Sequence, residues 1–180
     1  MYIVDKGKAG LRRVGAATAI AKRGCEMESV MDVRKCARLL IVNELDQLLL
    51  FEYKDEHCAE PFWATAGGEL KEGETYLDAA KRELYEETGL ECAIGELVLE
   101  REDVFAVALS VPAIWQEQYF LVQCESEDEL FAASWTEEEK ATIQRWAWWS
   151  LEDMRRNRAL FKPLVLTELL ETVLASRGSA

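Results

Sequence analysis

Apolar residues recur along this chain in two rhythms. Residues 36–43 (CARLLIVN) and 47–53 (QLLLFEY) are short, nearly continuous apolar runs. Asn43, Glu44, Leu45 and Asp46 join them as a polar turn, so the pair reads as a hairpin with a buried strand. Residues 62–66 (FWATA) read as a short strand with Trp63 in the core, delivering the chain to Gly67 and Gly68. Further on, 91–102 alternates like a strand and 104–111 reads as a second one, which Pro112 interrupts. Residues 116–124 (QEQYFLVQC) form the clearest later strand, and 143–149 another, ending at Ser150 in the helix-opening pattern S-x-x-D. Trp146 and Trp148 fall on one face of that strand and Trp149 on the other, as core packing requires.

The helical rhythm appears twice. Residues 76–88 are good helix formers, with Thr75 as N-cap and Gly89 as left-handed stop. Leu77, Ala80 and Leu84 make an apolar stripe, and Glu83, Glu86 and Glu87 share a neighbouring face. A second amphipathic helix spans 162–176, burying Leu164, Leu166, Leu169, Leu170, Val173 and Leu174. Strands before, beside and after one long helix, with a helix to close, predict an α/β fold with a mixed sheet between helical layers.

Composition narrows this further. At 180 residues and 49% hydrophobic, the chain fits one domain with a sizeable core. A formal net charge of −13 argues against an extended nucleic-acid surface, while leaving room for a small nucleotide held through a metal. The first 24 residues oppose that trend, with six basic residues against Asp5 alone. Residues 1–32 are therefore set apart as a basic extension, mobile or partner-bound, or as sequence upstream of a start at Met27 or Met31, and 33–180 is taken as the domain. Five scattered cysteines without C-x-x-C spacing suit a reducing cytoplasm. His57, the one histidine, lies in a polar loop and excludes any mechanism that needs a histidine pair. No apolar run approaches membrane-spanning length.

The chemistry concentrates at residues 68–90. On an exposed helix, Glu83, Glu86 and Glu87 repel one another by roughly 0.2 to 0.5 kcal/mol per pair. A divalent cation reverses that sign, since clustered carboxylates are the hard oxygen donors Mg2+ or Mn2+ prefers. A bare E-x-x-E-E more often marks a solvated face. Here the full spacing G-x5-E-x7-R-E-L-x-E-E-x-G-L is met at Gly68, Glu74, Arg82, Glu83, Leu84, Glu86, Glu87, Gly89 and Leu90. That pattern resembles the Nudix box without departure, and the chain is similar to the Nudix hydrolase superfamily over residues 33–176.

The resemblance implies an α/β/α sandwich. It also implies metal-dependent hydrolysis of a pyrophosphate bond in a nucleoside diphosphate linked to another group, with Mg2+ or Mn2+ as cofactor. By that correspondence Glu83, Glu86 and Glu87 are metal ligands, Glu87 first among them, joined by the Gly67 carbonyl. Glu74 and Arg82 orient the acids, and Gly68, Gly73 and Gly89 are structural. For the general base, Glu83 is the first choice within the box and Glu117 the best outside it, against the reading of Glu117 as a solvent-facing residue on an edge strand. Glu137, Glu138 and Glu139 read as a solvated loop run, and Trp115 and Trp135 as loop residues open to base stacking. The expected partner is a small nucleotide or related diphosphate, and a homodimer is compatible with it. A non-catalytic module on the same fold is the alternative, but such a module is expected to lose box acids and none is missing. A diphosphate isomerase using Cys58 or Cys92 fits the intact R-E-x-x-E-E less well. Base, sugar and leaving group are read by loops that carry no recognisable motif.

Overall fold

A computed structural model describes residues 31–107, 110–125, 135 and 137–177. The basic extension up to residue 30 and most of the acidic segment 125–140 lie outside the described residues. Within the described residues eight strands and four helices follow one another: β1 (Val33–Asn43), β2 (Gln47–Tyr53), β3 (Phe62–Ala64), β4 (Gly67–Glu69), α1 (Tyr76–Thr88), β5 (Ile94–Phe105), β6 (Ala113–Cys124), α2 (Glu137–Thr142), β7 (Ile143–Ser150), α3 (Leu151–Arg156), β8 (Leu160–Lys162) and α4 (Leu166–Arg177).

Among the described residues the strands form one mixed sheet in the order β5-β6-β1-β2-β3-β8, with β4 added to β1 and β7 to β2. β1 is central because it is apolar on both faces. Ala37, Leu39 and Ile41 pack with Ala79, Ala80 and Leu84 of α1, while Leu40 and Val42 pack with Leu166, Leu170 and Val173 of α4. Each leucine so buried contributes about 2 kcal/mol of apolar transfer free energy, so the two faces hold a helix on either side of the sheet. This is the sandwich expected.

β1 runs parallel to β6, with Cys36 opposite Glu117 and Arg38 opposite Tyr119. It runs antiparallel to β2, to which Val42 opposite Leu48 joins it. From there β2 passes between β3 and β7. The turn is fixed by Asn43, fully buried, whose Oδ1 accepts from the amides of Leu45 (3.0 Å) and Gln47 (2.9 Å). Asp46 there takes a left-handed φ of 58°, and its carboxylate accepts from Arg177 at the end of α4 (2.9 Å).

Several expectations shift. β5 is one strand where two were expected, because residues 94–105 stay paired with β6 throughout. Residues 162–165 are not helical: Lys162 ends β8, and α4 begins at Leu166, leaving Leu164 exposed. Trp115 is a core residue of β6, stacked on Phe105 at 5.2 Å. Trp146 is about half exposed, whereas Trp148 and Trp149 pack against opposite cores.

Candidate active site

α1 is built as its sequence demands. Thr75 accepts from the Asp78 amide, Asp78 returns the bond to the Thr75 amide, and Gly89 closes the helix at φ 74°. Its buried face, however, is Ala79, Ala80, Glu83, Leu84, Glu87 and Thr88, and Leu77 is 41% exposed. The expected stripe is therefore rotated, and two of the acids point inward. The reason lies in β4. Gly67 takes φ +133°, and a Cβ there would stand 2.2 Å from the Ala37 carbonyl oxygen. A Cβ on Gly68 would stand 2.2 Å from Glu83 Oε1. Two residues without side chains let the backbone of β4 press onto β1 and let the carboxylates of α1 reach that backbone.

The Gly67 amide donates to Glu87 Oε2 at 2.6 Å. Glu87 is 3% and Glu83 6% exposed. Burial raises the pKa of both, Glu87 well above the usual carboxylate range with the Glu83 charge adding to the shift, and Glu83 less because Arg82 opposes it. A third carboxylate arrives from α2: oxygens of Glu83, Glu87 and Glu139 all lie within 4.8 Å of one another. Glu86 does not join them. It turns outward to Arg82 (3.0 Å) and Lys71 (3.3 Å).

Arg82 is the scaffold of the box. It donates to Glu74 through Nε (2.7 Å) and Nη2 (2.8 Å), to the Glu69 carbonyl (3.1 Å), to Glu86 and to Glu83. That fork, with the Lys71 amide (2.8 Å), holds the Glu74 carboxyl down at about 2. Glu74 and Arg82 thus border the acids, without themselves joining the trio.

Glu117 is not a solvent-facing residue on an edge strand. It is buried on an interior strand between β5 and β1, and accepts from Arg38 Nε (2.9 Å) and Tyr119 OH (3.4 Å) with Arg101 Nη1 at 3.2 Å. Arg38 links it to the acids, since its Nη1 donates to the Gly67 carbonyl (3.2 Å) while the amide of the same residue holds Glu87. The carbonyl expected to bind metal therefore already accepts from a guanidinium.

Two residues at this centre escaped the sequence reading. Glu139 sits in an acidic run that looks solvated, and only the pairing of β7 with β2 carries α2 to the site. Arg38 reads as one charge in an apolar strand. That break in the run, together with the Glu117 break in residues 116–124, was the available signal. Trp135 donates Nε1–H to the Glu87 carbonyl (3.1 Å) and meets Phe51 edge-on at 6.2 Å, so it seals the end of α1. Cys36 is buried, which pushes its thiol up to about 12, and the Cys58 sulfur lies 2.6 Å from Lys162 Nζ. No helix among the described residues is long and apolar enough to cross a membrane.

Known proteins bear on this geometry. A family model described as NUDIX domain matches residues 33–169. An RNA pyrophosphohydrolase of Roseobacter denitrificans is 28% identical over 149 residues, 77% of this chain and 89% of that protein. A putative 8-oxo-dGTP diphosphatase of Bacillus subtilis is 40% identical over 58 residues, 32% of this chain and 36% of that protein. Among solved structures, an Ap4A hydrolase of C. elegans covers 82% of this chain and 99% of its own, with a TM-score of 0.59 and 21% identity, a likeness of fold.

Proposed function

The chain belongs to the Nudix family, and from that premise we propose that it is a divalent-metal-dependent pyrophosphohydrolase acting on a nucleotide or related diphosphate, with Glu83, Glu87 and Glu139 holding the cation. Pyrophosphate hydrolysis in general follows from the family and from relatives such as the RNA pyrophosphohydrolase. Metal dependence, substrate class and residue roles are our reading.

One observation carries it: three carboxylates, two of them buried, converge within 4.8 Å across two helices. Arg82 alone does not compensate them, because it also serves Glu74 and Glu86. Such a donor set fits a hard cation, and the raised pKa of Glu83 and Glu87 is what buried carboxylates show without one. When bound, Mg2+ or Mn2+ supplies charge compensation for phosphoryl oxygens and an acidified water.

The protein's own contributions are distinct. The Gly67 amide orients Glu87, and Arg82 fixes Glu83, Glu74 and Glu86 relative to one another. In this reading Glu83 accepts a proton from the attacking water, which its place in the trio supports. Glu117 suits that role less well, since its oxygens already face two arginines. The two relatives described above are named for RNA and for 8-oxo-dGTP, which supports a nucleotide-containing substrate, and the net charge of −13 favours a short phosphate chain bridged by cations over an extended polyanion contact.

A Mg2+-dependent panel of nucleoside triphosphates, nucleotide sugars, dinucleoside polyphosphates and 5′-triphosphate RNA, scored by product, tests the reading. At least one substrate is cleaved by wild type and loses about a hundredfold or more in rate with Glu87→Gln and with Glu139→Gln. Equal rates in wild type and Glu87→Gln would refute the metal assignment, and no cleavage anywhere in the panel would favour a binding module.

A further inference from the structure

Two arginines stand at this centre, and they differ in what they have left to give. A guanidinium carries five N–H donors. Arg82 makes five hydrogen bonds, to Glu74 twice, Glu83, Glu86 and the Glu69 carbonyl. Arg38 makes two, to Glu117 and the Gly67 carbonyl, so among the described residues its Nη2 has no partner. Its side chain is 18% exposed, which leaves the unspent edge accessible.

Tyr53, at the end of β2, the strand that pairs with β1, carries a second unspent donor. Its ring is held by stacking on Phe62 at 5.7 Å, and its hydroxyl has no hydrogen-bond partner among the described residues. It pairs in register with Ile143, and the next amide, Lys54, donates to Thr142 at the end of α2 (2.9 Å). Tyr53 is thereby set against the short helix that carries Glu139. Burial raises the pKa of its hydroxyl, and Glu87, Arg38 and Glu139 are among the charged groups that act on it. The acids thus come from the helices, while the sheet supplies a guanidinium edge and a phenol, each with a donor unpartnered among the described residues.

Resting on the reading of this centre as a diphosphate hydrolase, we propose that Arg38 and Tyr53 form its anion-binding side and take non-bridging oxygens of the substrate's phosphate chain. Glu117 and Arg101 are positioning residues that aim Arg38. A fork of N–H groups matches two phosphate oxygens, and a phenol adds a third donor without charge. Glu117 explains how a guanidinium is kept facing that way inside a sheet: the buried carboxylate fixes Nε through one oxygen, while Arg101 holds its other oxygen.

Calorimetric titration with methylenediphosphonate, a pyrophosphate analogue that cannot be hydrolysed, tests this in the presence of Mg2+. Tyr53→Phe, which keeps the stacked ring, and Arg38→Lys, which keeps the charge, each weaken the analogue about tenfold. Mg2+ titrated alone binds both variants as it binds wild type. Glu117→Gln raises KM on the best panel substrate more than it lowers kcat. Unchanged affinity in Tyr53→Phe and Arg38→Lys, or no binding of the analogue by wild type, would overturn the proposal. Parallel loss of Mg2+ binding would overturn it too, by making Arg38 a support for Gly67 alone. Because the analogue reports binding without turnover, a protein that binds it and cleaves nothing would refute the hydrolase reading and leave this assignment standing.

Discussion

Removing the charge of Glu87 should stabilise the metal-free protein while abolishing its response to Mg2+. Its carboxylate shares a 4.8 Å neighbourhood with those of Glu83 and Glu139. At an effective dielectric constant of about 20, each fully ionised pair at that range costs roughly 3 kcal/mol. The cost realised is smaller, because burial and the neighbouring Glu83 charge raise the Glu87 pKa well above the usual carboxylate range and so favour its neutral form. Gln can still accept from the Gly67 amide, but a neutral acceptor forfeits about 1 kcal/mol. The net gain for Glu87→Gln is then about 1 to 3 kcal/mol, or roughly 3 to 10 °C in melting temperature for a chain of this length.

The sign with pH follows from the direction of the shift. A carboxyl whose folded pKa is raised destabilises the fold once ionised, so the penalty is absent below the ordinary value of 4.5 and complete only above the folded pKa. The advantage of the variant therefore grows as pH rises. Mg2+ works against that advantage: ligand at a hundred times its dissociation constant adds about 2.7 kcal/mol to wild type and much less to the variant, enough to close the gap. Thermal melts in chelator and in Mg2+, from about pH 5 to about pH 8, read all three effects. A variant that melts below wild type in chelator, or that gains as much as wild type from Mg2+, would refute the reasoning.

Three further outcomes follow from the same geometry. Gly68→Ala drives a Cβ into Glu83 Oε1 and should cut kcat/KM about a hundredfold, whereas Gly73→Ala, with nothing within 4 Å, costs only backbone strain of about 1 kcal/mol and keeps activity; parallel kinetics and melts separate them. Glu74, held at about 2, contributes stability that is present above 4.5 and lost as pH falls through about 2, so wild type and Glu74→Gln should melt apart at neutral pH and together at the acid end. Cys36, its thiol pushed up to about 12 by burial, should resist iodoacetamide in the native protein at mildly alkaline pH and react once unfolded, as peptide mass spectrometry would record; rapid native labelling would contradict its burial.

What the sequence makes legible here is what is local. The limits of α1 match the sequence reading because Thr75, Asp78 and Gly89 define both ends within the segment itself. The 36–43 and 47–53 hairpin and the S-x-x-D start of α3 are read equally well, for the same reason. The orientation of α1 is not legible, because hydrophobic periodicity turns glutamates outward. Two adjacent glycines on another element make room for them inside. Nor are Glu139 and Arg38, whose placing depends on β7 pairing with β2 and on β1 lying parallel to β6. Parallel pairing leaves no turn in the sequence to announce it, so the register that puts Cys36 beside Glu117 and Arg38 beside Tyr119 has no local trace.

The Asn43 turn gives the site a fulcrum. Glu83 and Glu87 are anchored to β1 through β4, while Tyr53 and Glu139 belong to the arm formed by β2 and β7. The two arms meet at Val42 and Leu48, where one buried amide side chain sets the bend and Arg177 grips its outer edge. A small change of angle there is magnified along the length of β2 into a change in the gap between acids on one arm and Glu139 on the other. Substitutions at Asn43 or Asp46, remote from every ionised group in the trio, would thus retune catalysis as leverage, by altering how widely the jaws stand apart.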